Sequence, residues 1–135
     1  MAEPDELLFD TGALIDIFRG RPAMRGPFQS LLDGQLKAYL SVVSEAELWR
    51  GRRSAEFEHH VALVAAFVSL PLETGSARLA GEWMQRYEAS GLGWMDALIT
   101  ATAAQAQLSV LTRDAKLARL LAGEVRFELY SATRL

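Results

Sequence analysis

Asp10 closes the apolar run Leu7-Leu8-Phe9, and Asp114 follows Val110-Leu111 after only Thr112 and Arg113. Both runs read as strands, so each delivers a carboxylate at a C-terminal strand end, where open α/β sheets place their ligand sites. Two further acids, Glu47 and Asp96, sit in the first turn of expected helices otherwise built from Leu, Trp, Ile and Ala. Together they are four candidates for one acidic pocket. Oxygen donors in that number suit magnesium or manganese, and those ions suit phosphate chemistry.

Each acid also has a purely structural explanation. Asp10 and Asp114 can cap the helices that follow them by accepting a backbone N–H. Ser44-Glu45-Ala46-Glu47 fits a capping box with Ser44 as the cap. Asp96 in a first turn is favoured by the helix dipole. Against four independent caps stands the apolar character of Leu48-Trp49 and Ala97-Leu98-Ile99 beside the acids. A carboxylate withdrawn from water costs several kcal/mol unless it is paired or bound to metal.

The 135 residues, half of them apolar, match one domain over 1–135 that can bury a core. The absence of cysteine excludes thiolate metal sites and thiol catalysis and fits a cytoplasmic, reducing location. The N-terminus, Met1-Ala2-Glu3-Pro4-Asp5-Glu6, is acidic where a secretory signal is basic. The longest uncharged stretch, Ala97 to Thr112, is too short and too polar for a membrane span. A net charge of -3 argues against nonspecific coating of nucleic acid but not against a nuclease, because bound cations reverse the sign locally.

The acids depend on the elements that carry them. The pattern predicts strands at Glu6–Phe9, Ala38–Val42, Ser109–Thr112 and Val125–Tyr130, the last at a sheet edge. It predicts helices at Thr11–Phe18, Met24–Leu32, Val43–Trp49, Glu56–Ser69, Ser76–Ala89, Trp94–Ala106 and Lys116–Leu121. Trp94–Ala106 carries no charge except Asp96, so it should be buried almost all round. Strands separated by helices in this order imply a parallel sheet with helices on both faces.

Four segments then carry a resemblance to PIN-domain ribonucleases, and at this size to the VapC toxins of type II toxin–antitoxin pairs. They are Leu8-Phe9-Asp10-Thr11, Ser41-Val42-Val43-Ser44-Glu45-Ala46-Glu47-Leu48, Asp96-Ala97-Leu98-Ile99-Thr100-Ala101-Thr102-Ala103 and Val110-Leu111-Thr112-Arg113-Asp114, in an order that spans nearly the whole chain. The resemblance implies a PIN-like three-layer fold with a central parallel sheet of four to five strands. It assigns the second acid to Glu47, directly before Leu48, while Glu45 stands where the family has an apolar or neutral residue. Asp114 occupies a position that varies between Asn and Asp.

The implied activity is a metal-dependent endoribonuclease acting on a structured RNA, with transfer RNA the first expectation. In that reading Asp10, Asp96 and Asp114 hold Mg2+ or Mn2+, and Glu47 holds a second ion or orients the attacking water. Thr11 and Thr112 hydrogen-bond the carboxylates or the scissile phosphate. Implied partners are the RNA substrate, a cognate antitoxin and a second copy of the chain, with no membrane.

Arginine clusters at Arg19, Arg21 and Arg25 and at Arg50, Arg52 and Arg53, and these are candidates for positioning RNA, with solvated helix faces the alternative. Arg113, beside Asp114, is a candidate for contact with substrate. His59 and His60 have no ligand spacing and receive no catalytic role. Trp49, Trp83, Trp94 and Phe67 lie on apolar helical stripes and are expected in the core or an interface. A haloacid-dehalogenase-like site needs a second Asp where Gly12 stands, and a receiver-like site needs a phosphoacceptor Asp on the third strand. The remaining rival is a noncatalytic PIN-like module that binds RNA or protein and uses the acids as caps.

Overall fold

The computed structural model describes residues 3–131. Five strands form one parallel sheet: β1 (Asp5–Phe9), β2 (Leu36–Ser41), β3 (Val68–Leu70), β4 (Ser109–Thr112) and β5 (Phe127–Leu129), in the order β3-β2-β1-β4-β5. Seven α-helices connect them: α1 (Thr11–Phe18), α2 (Arg25–Leu32), α3 (Val42–Gly51), α4 (Phe57–Val64), α5 (Thr74–Tyr87), α6 (Trp94–Gln105) and α7 (Ala115–Leu120).

Helices cover both faces, so the central strands are apolar on both sides rather than alternating. Leu8 and Val110 enter one core with Trp83, Met84, Ile99 and Leu117. Their neighbours Leu7, Phe9 and Leu111 enter the other with Leu14, Ile17, Leu40 and Phe67. In α6 the turns from Ala97 to Ala103 are buried apart from half-buried Leu98, and Thr100 and Thr102 satisfy their hydroxyls on carbonyls of the preceding turn. The start of α6 departs from the expected burial: Trp94 and Met95 are exposed.

Three local expectations are corrected. Glu56–Ser69 is not one helix: α4 stops at Val64, and Val68–Leu70 pairs with β2 as a fifth strand. Ser41 rather than Ser44 caps α3, its side chain accepting from the Val43 amide at 3.0 Å, so no Ser44–Glu47 capping box forms. In consequence Glu47 stands in the second turn of α3 and Glu45 in the first. The Met24 end of the second expected helix belongs to a short 3-10 turn, Pro22–Met24. Trp83 and Phe67 are core residues as expected, whereas Trp49 and Trp94 keep a large exposed area.

The chain leaves β1 toward β2 on one side, while β4 docks on the other side of β1. That reversal makes the β1/β4 boundary the topological switch point, and its C-terminal mouth is the crevice where such sheets bind ligands. The Asp10 amide donates to Leu111 O at 3.2 Å, prolonging the pairing of β1 and β4 to the crevice edge. Behind the crevice Asp16 of α1 is fully buried, a placement that its local sequence does not signal. Arg113 Nη1 donates to both its oxygens at 2.9 and 3.1 Å and Tyr130 to Oδ2 at 2.7 Å. This clamp ties α1 to the chain just beyond β4 and β5. Among the described residues no helix is long and apolar enough to cross a membrane.

Asp16→Asn keeps the shape but removes the charge that Arg113 and Tyr130 address. It should cost about 1–3 kcal/mol in urea unfolding, as expected for weakened hydrogen bonds at a buried polar group. An unchanged midpoint would mean that the clamp contributes nothing to stability.

Candidate active site

Asp10 follows β1 and caps α1, its Oδ1 accepting from the Ala13 amide at 2.9 Å. Its Oδ2 accepts from the Thr112 hydroxyl at 2.5 Å, and the same hydroxyl oxygen accepts from the Asp114 amide at 3.0 Å. Asp114 in turn caps α7 through the Leu117 amide at 3.0 Å. The capping expectation therefore holds for Asp10 and Asp114. A single threonine at the end of β4 links both acids.

Neither Glu47 nor Asp96 is a cap. The Thr11 hydroxyl donates to Glu47 Oε1 at 2.6 Å and lies 2.9 Å from the Ser44 hydroxyl, which fixes α3 against the start of α1. Glu45 turns toward β3, where Ser69 donates to it at 3.1 Å, so Glu47 is the α3 acid that faces the crevice. Asp96, half-buried, makes no side-chain hydrogen bond or ion pair with a described residue.

The charges of the four acids act on one another. Burial pushes the Asp96 carboxyl up to about 6, and the charges of Asp10, Asp114 and Glu47 push in the same direction. Burial also raises Asp10; hydrogen bonds from Thr112 and Ala13 oppose the rise, Asp114 adds to it and Arg113 opposes it. The sequence-predicted carboxylates thus share one field.

The donor chemistry of this set fits a hard divalent cation: only carboxylate oxygens, an excess of negative charge, and one acid without a protein partner. Among the described residues no three acidic or histidine side chains stand ready-made around a single ion position. Asp10, Glu47 and Asp114 each give an oxygen to a hydroxyl or amide instead.

The arginine clusters separate. Arg21 lies 3.8 Å from Asp16, while Arg25, Arg50 and Arg53 are exposed. Arg19 and Arg52 line a cavity that also reaches Glu47. Arg113, half-exposed and held by Asp16, is close enough to Asp10 to lower its pKa. Sequence spacing could not find the Asp16–Arg113 pair, whose members are 97 residues apart.

A three-layer α/β fold with a carboxylate-lined crevice at its switch point defines the structural class. The PIN domain model matches residues 7–121, and the chain belongs to the PIN domain family, in its VapC-type ribonuclease branch. Over 111 residues it is 41% identical to Ribonuclease VapC10 of Mycobacterium tuberculosis, spanning 78% of this chain and 80% of that relative. A solved toxin–antitoxin complex from Klebsiella pneumoniae is similar with a TM-score of 0.71 at 27% identity, over 93% of this chain and 98% of the other. VapBC2 from Rickettsia felis, solved with a DNA fragment from its promoter, shares the fold with a TM-score of 0.76 at 15% identity, over 93% and 99%.

The pKa of Asp96 sets a stability trend. Unfolded, the group titrates at 3.8; folded, at about 6. Between these values the unfolded chain has lost the proton and the folded one still holds it, so metal-free stability falls as pH rises through that window. Above pH 6 in chelator, Asp96→Asn should therefore melt about 2–8 °C higher than the parent, the shift that roughly 1 kcal/mol produces in small domains. Manganese should raise the parent and largely fail to raise the variant. A variant that melts lower than the parent at pH 7 in chelator would contradict the unfavourable field at Asp96.

Proposed function

We propose that this chain is the toxin of a toxin–antitoxin pair and a metal-dependent endoribonuclease that hydrolyses a phosphodiester bond in a structured RNA such as transfer RNA. The observation that carries the reading is Asp96, an acid without a protein partner whose proton is held by burial and by three other carboxylates. Fold stability gains nothing from that arrangement, whereas a cation site needs it. The likeness to a named ribonuclease and to a toxin–antitoxin complex supports the RNA substrate and the antitoxin partner.

Asp10, Asp96 and Asp114 are the residues that would hold Mg2+ or Mn2+, with Glu47 holding a second ion or orienting the attacking water. When bound, the ion supplies a water of lowered pKa and a counter-charge for the phosphate. Thr112 fixes Asp10, and Thr11 fixes Glu47 through Oε1, leaving its other oxygen for the water. Arg113, whose guanidinium is anchored on Asp16, would orient the scissile phosphate. The 2′-hydroxyl has no part in this route, so the acids themselves do not select RNA over DNA.

The chain acts as one domain over 1–135 in the cytoplasm. It forms a homodimer, a reading supported by the exposed apolar side chains of Trp94 and Met95 at the start of α6. A monomeric mass in light scattering at high concentration would overturn the dimer.

Purified protein should cut total cellular RNA into discrete fragments with manganese or magnesium. Cutting should disappear with a chelator, with Asp10→Asn and with Asp96→Asn, and should drop about 10–100-fold in Thr112→Val, the usual effect of removing a group that orients a metal ligand. No cleavage by folded, metal-loaded, antitoxin-free protein would overturn the catalytic reading in favour of a binding module.

A further inference from the structure

Arg113 meets Asp16 through a single nitrogen: Nη1 donates to Oδ1 at 2.9 Å and to Oδ2 at 3.1 Å. A guanidinium carries five N–H groups in one rigid plane, so the edge formed by Nε and Nη2 is left over. Among the described residues nothing accepts a hydrogen bond from that edge, and the side chain is 44% exposed, within reach of a ligand. Gly12, in the first turn of α1, lies against it. A side chain there would put its Cβ 3.5 Å from Arg113 Nε, 3.9 Å from Cζ and 3.6 Å from Asp10 Oδ1. The missing side chain thus leaves a notch in which one atom touches both an arginine and a crevice acid. Of the ten glycines, Gly12 is the one whose absent side chain opens a space between a cation and an acid. The backbone does not demand glycine here: positive φ among the glycines is confined to Gly20, Gly34 and Gly91. Since all three contacts are at ordinary van der Waals distance, alanine would fit and would suit the helix better.

We propose that this notch seats a non-bridging oxygen of the scissile phosphate against the Nε–Nη2 edge of Arg113, and that Gly12 is the residue whose lack of a side chain keeps the seat open. The inference rests on the ribonuclease reading and deepens it. Arginine holds phosphate best through two parallel N–H donors on one edge of its plane. Asp16 fixes the guanidinium by Nη1 and leaves such an edge unused. Had the carboxylate taken Nε and Nη2, the fork would be spent inside the protein. Asp10 on the other side of the notch would repel a lone anion, and the divalent ion of the proposed function is what lets carboxylate and phosphate stand together. The seat therefore belongs to the same crevice as the four acids. A phosphodiester is the occupant that the ribonuclease reading supplies; a carboxylate from a protein partner has the same charge and is the other arm of the test.

The test uses the full chain in magnesium with dimethyl phosphate, a phosphodiester monoanion that carries neither base nor ribose. The Arg113 Nε–H resonance is followed by proton–nitrogen NMR during the titration. A saturable shift is expected there, and a chelator should remove it. Gly12→Ala should weaken binding about ten-fold, the usual effect of crowding a fitted space, while melting no lower than the parent. Arg113→Lys keeps the charge and loses the fork, and it changes an exposed residue should Gly12→Ala fail to fold. Followed through the phosphorus resonance of the probe, it should also bind about ten-fold more weakly, the loss of one charge-assisted hydrogen bond. No shift at Arg113, affinity undiminished in Gly12→Ala or in Arg113→Lys, or binding unchanged in chelator would overturn the seat. So would an equal response to sodium acetate at the same ionic strength, which would make the notch a contact for a partner's carboxylate. Binding of the probe at Arg113 by a protein that cuts no RNA would uphold the phosphodiester seat and sink the ribonuclease; RNA cleavage with no response at Arg113 would do the reverse.

Discussion

Like charges held together at the open end of a sheet are the constraint around which this molecule is organised. Coulomb repulsion and burial both act against ionised Asp96, and the fold tolerates the conflict because other bonds hold its neighbours in place. Asp10 and Asp114 cap α1 and α7, where amide donors and the helix dipole offset part of their charge. Thr112 and Thr11 each give a hydroxyl hydrogen to a carboxylate. Asp96 receives no such help, and the unrelieved charge collects there. A cap is satisfied by its helix; no side chain among the described residues satisfies Asp96.

Asp16 shows the contrast. It is as deeply placed as any residue in the core, yet Arg113 and Tyr130 satisfy it within the chain. Its role is to hold the chain beyond β4 and β5 against α1, and with it the arginine nearest the crevice. The protein thus uses one acid to anchor an arginine and leaves another uncompensated, and in the proposed function a divalent cation is what compensates it. The sheet makes the second arrangement possible, because parallel neighbours β1 and β4 end side by side at the switch point.

Much of this was legible in the residue order. The bounds of Thr11–Phe18 and Ser109–Thr112 are legible because a capping acid or a run of apolar residues marks each edge, and Asp10 and Asp114 are legible as caps from their places there. The third strand was hidden because Ala65-Ala66-Phe67-Val68 continues the apolar character of α4 without Gly or Pro, and three residues show no period of their own. The α3 cap lies three residues before the one the sequence suggests because Ser41 and Ser44 offer the same chemistry, and only the strand's end distinguishes them. The Asp16 clamp and the notch over Gly12 depend on contacts between distant segments. Local spacing contains no signal for them.

The central claim is that the four acids form one coupled site whose excess charge a divalent cation relieves. The most direct measurement is the carboxyl titration of Asp96 by carbon NMR, in chelator and in saturating magnesium. The account predicts a midpoint near 6 without the ion, as burial and the neighbouring carboxylates require, and one well below that with it. A midpoint near 3.8 under both conditions would show that Asp96 feels neither its neighbours nor a metal, and would contradict the account.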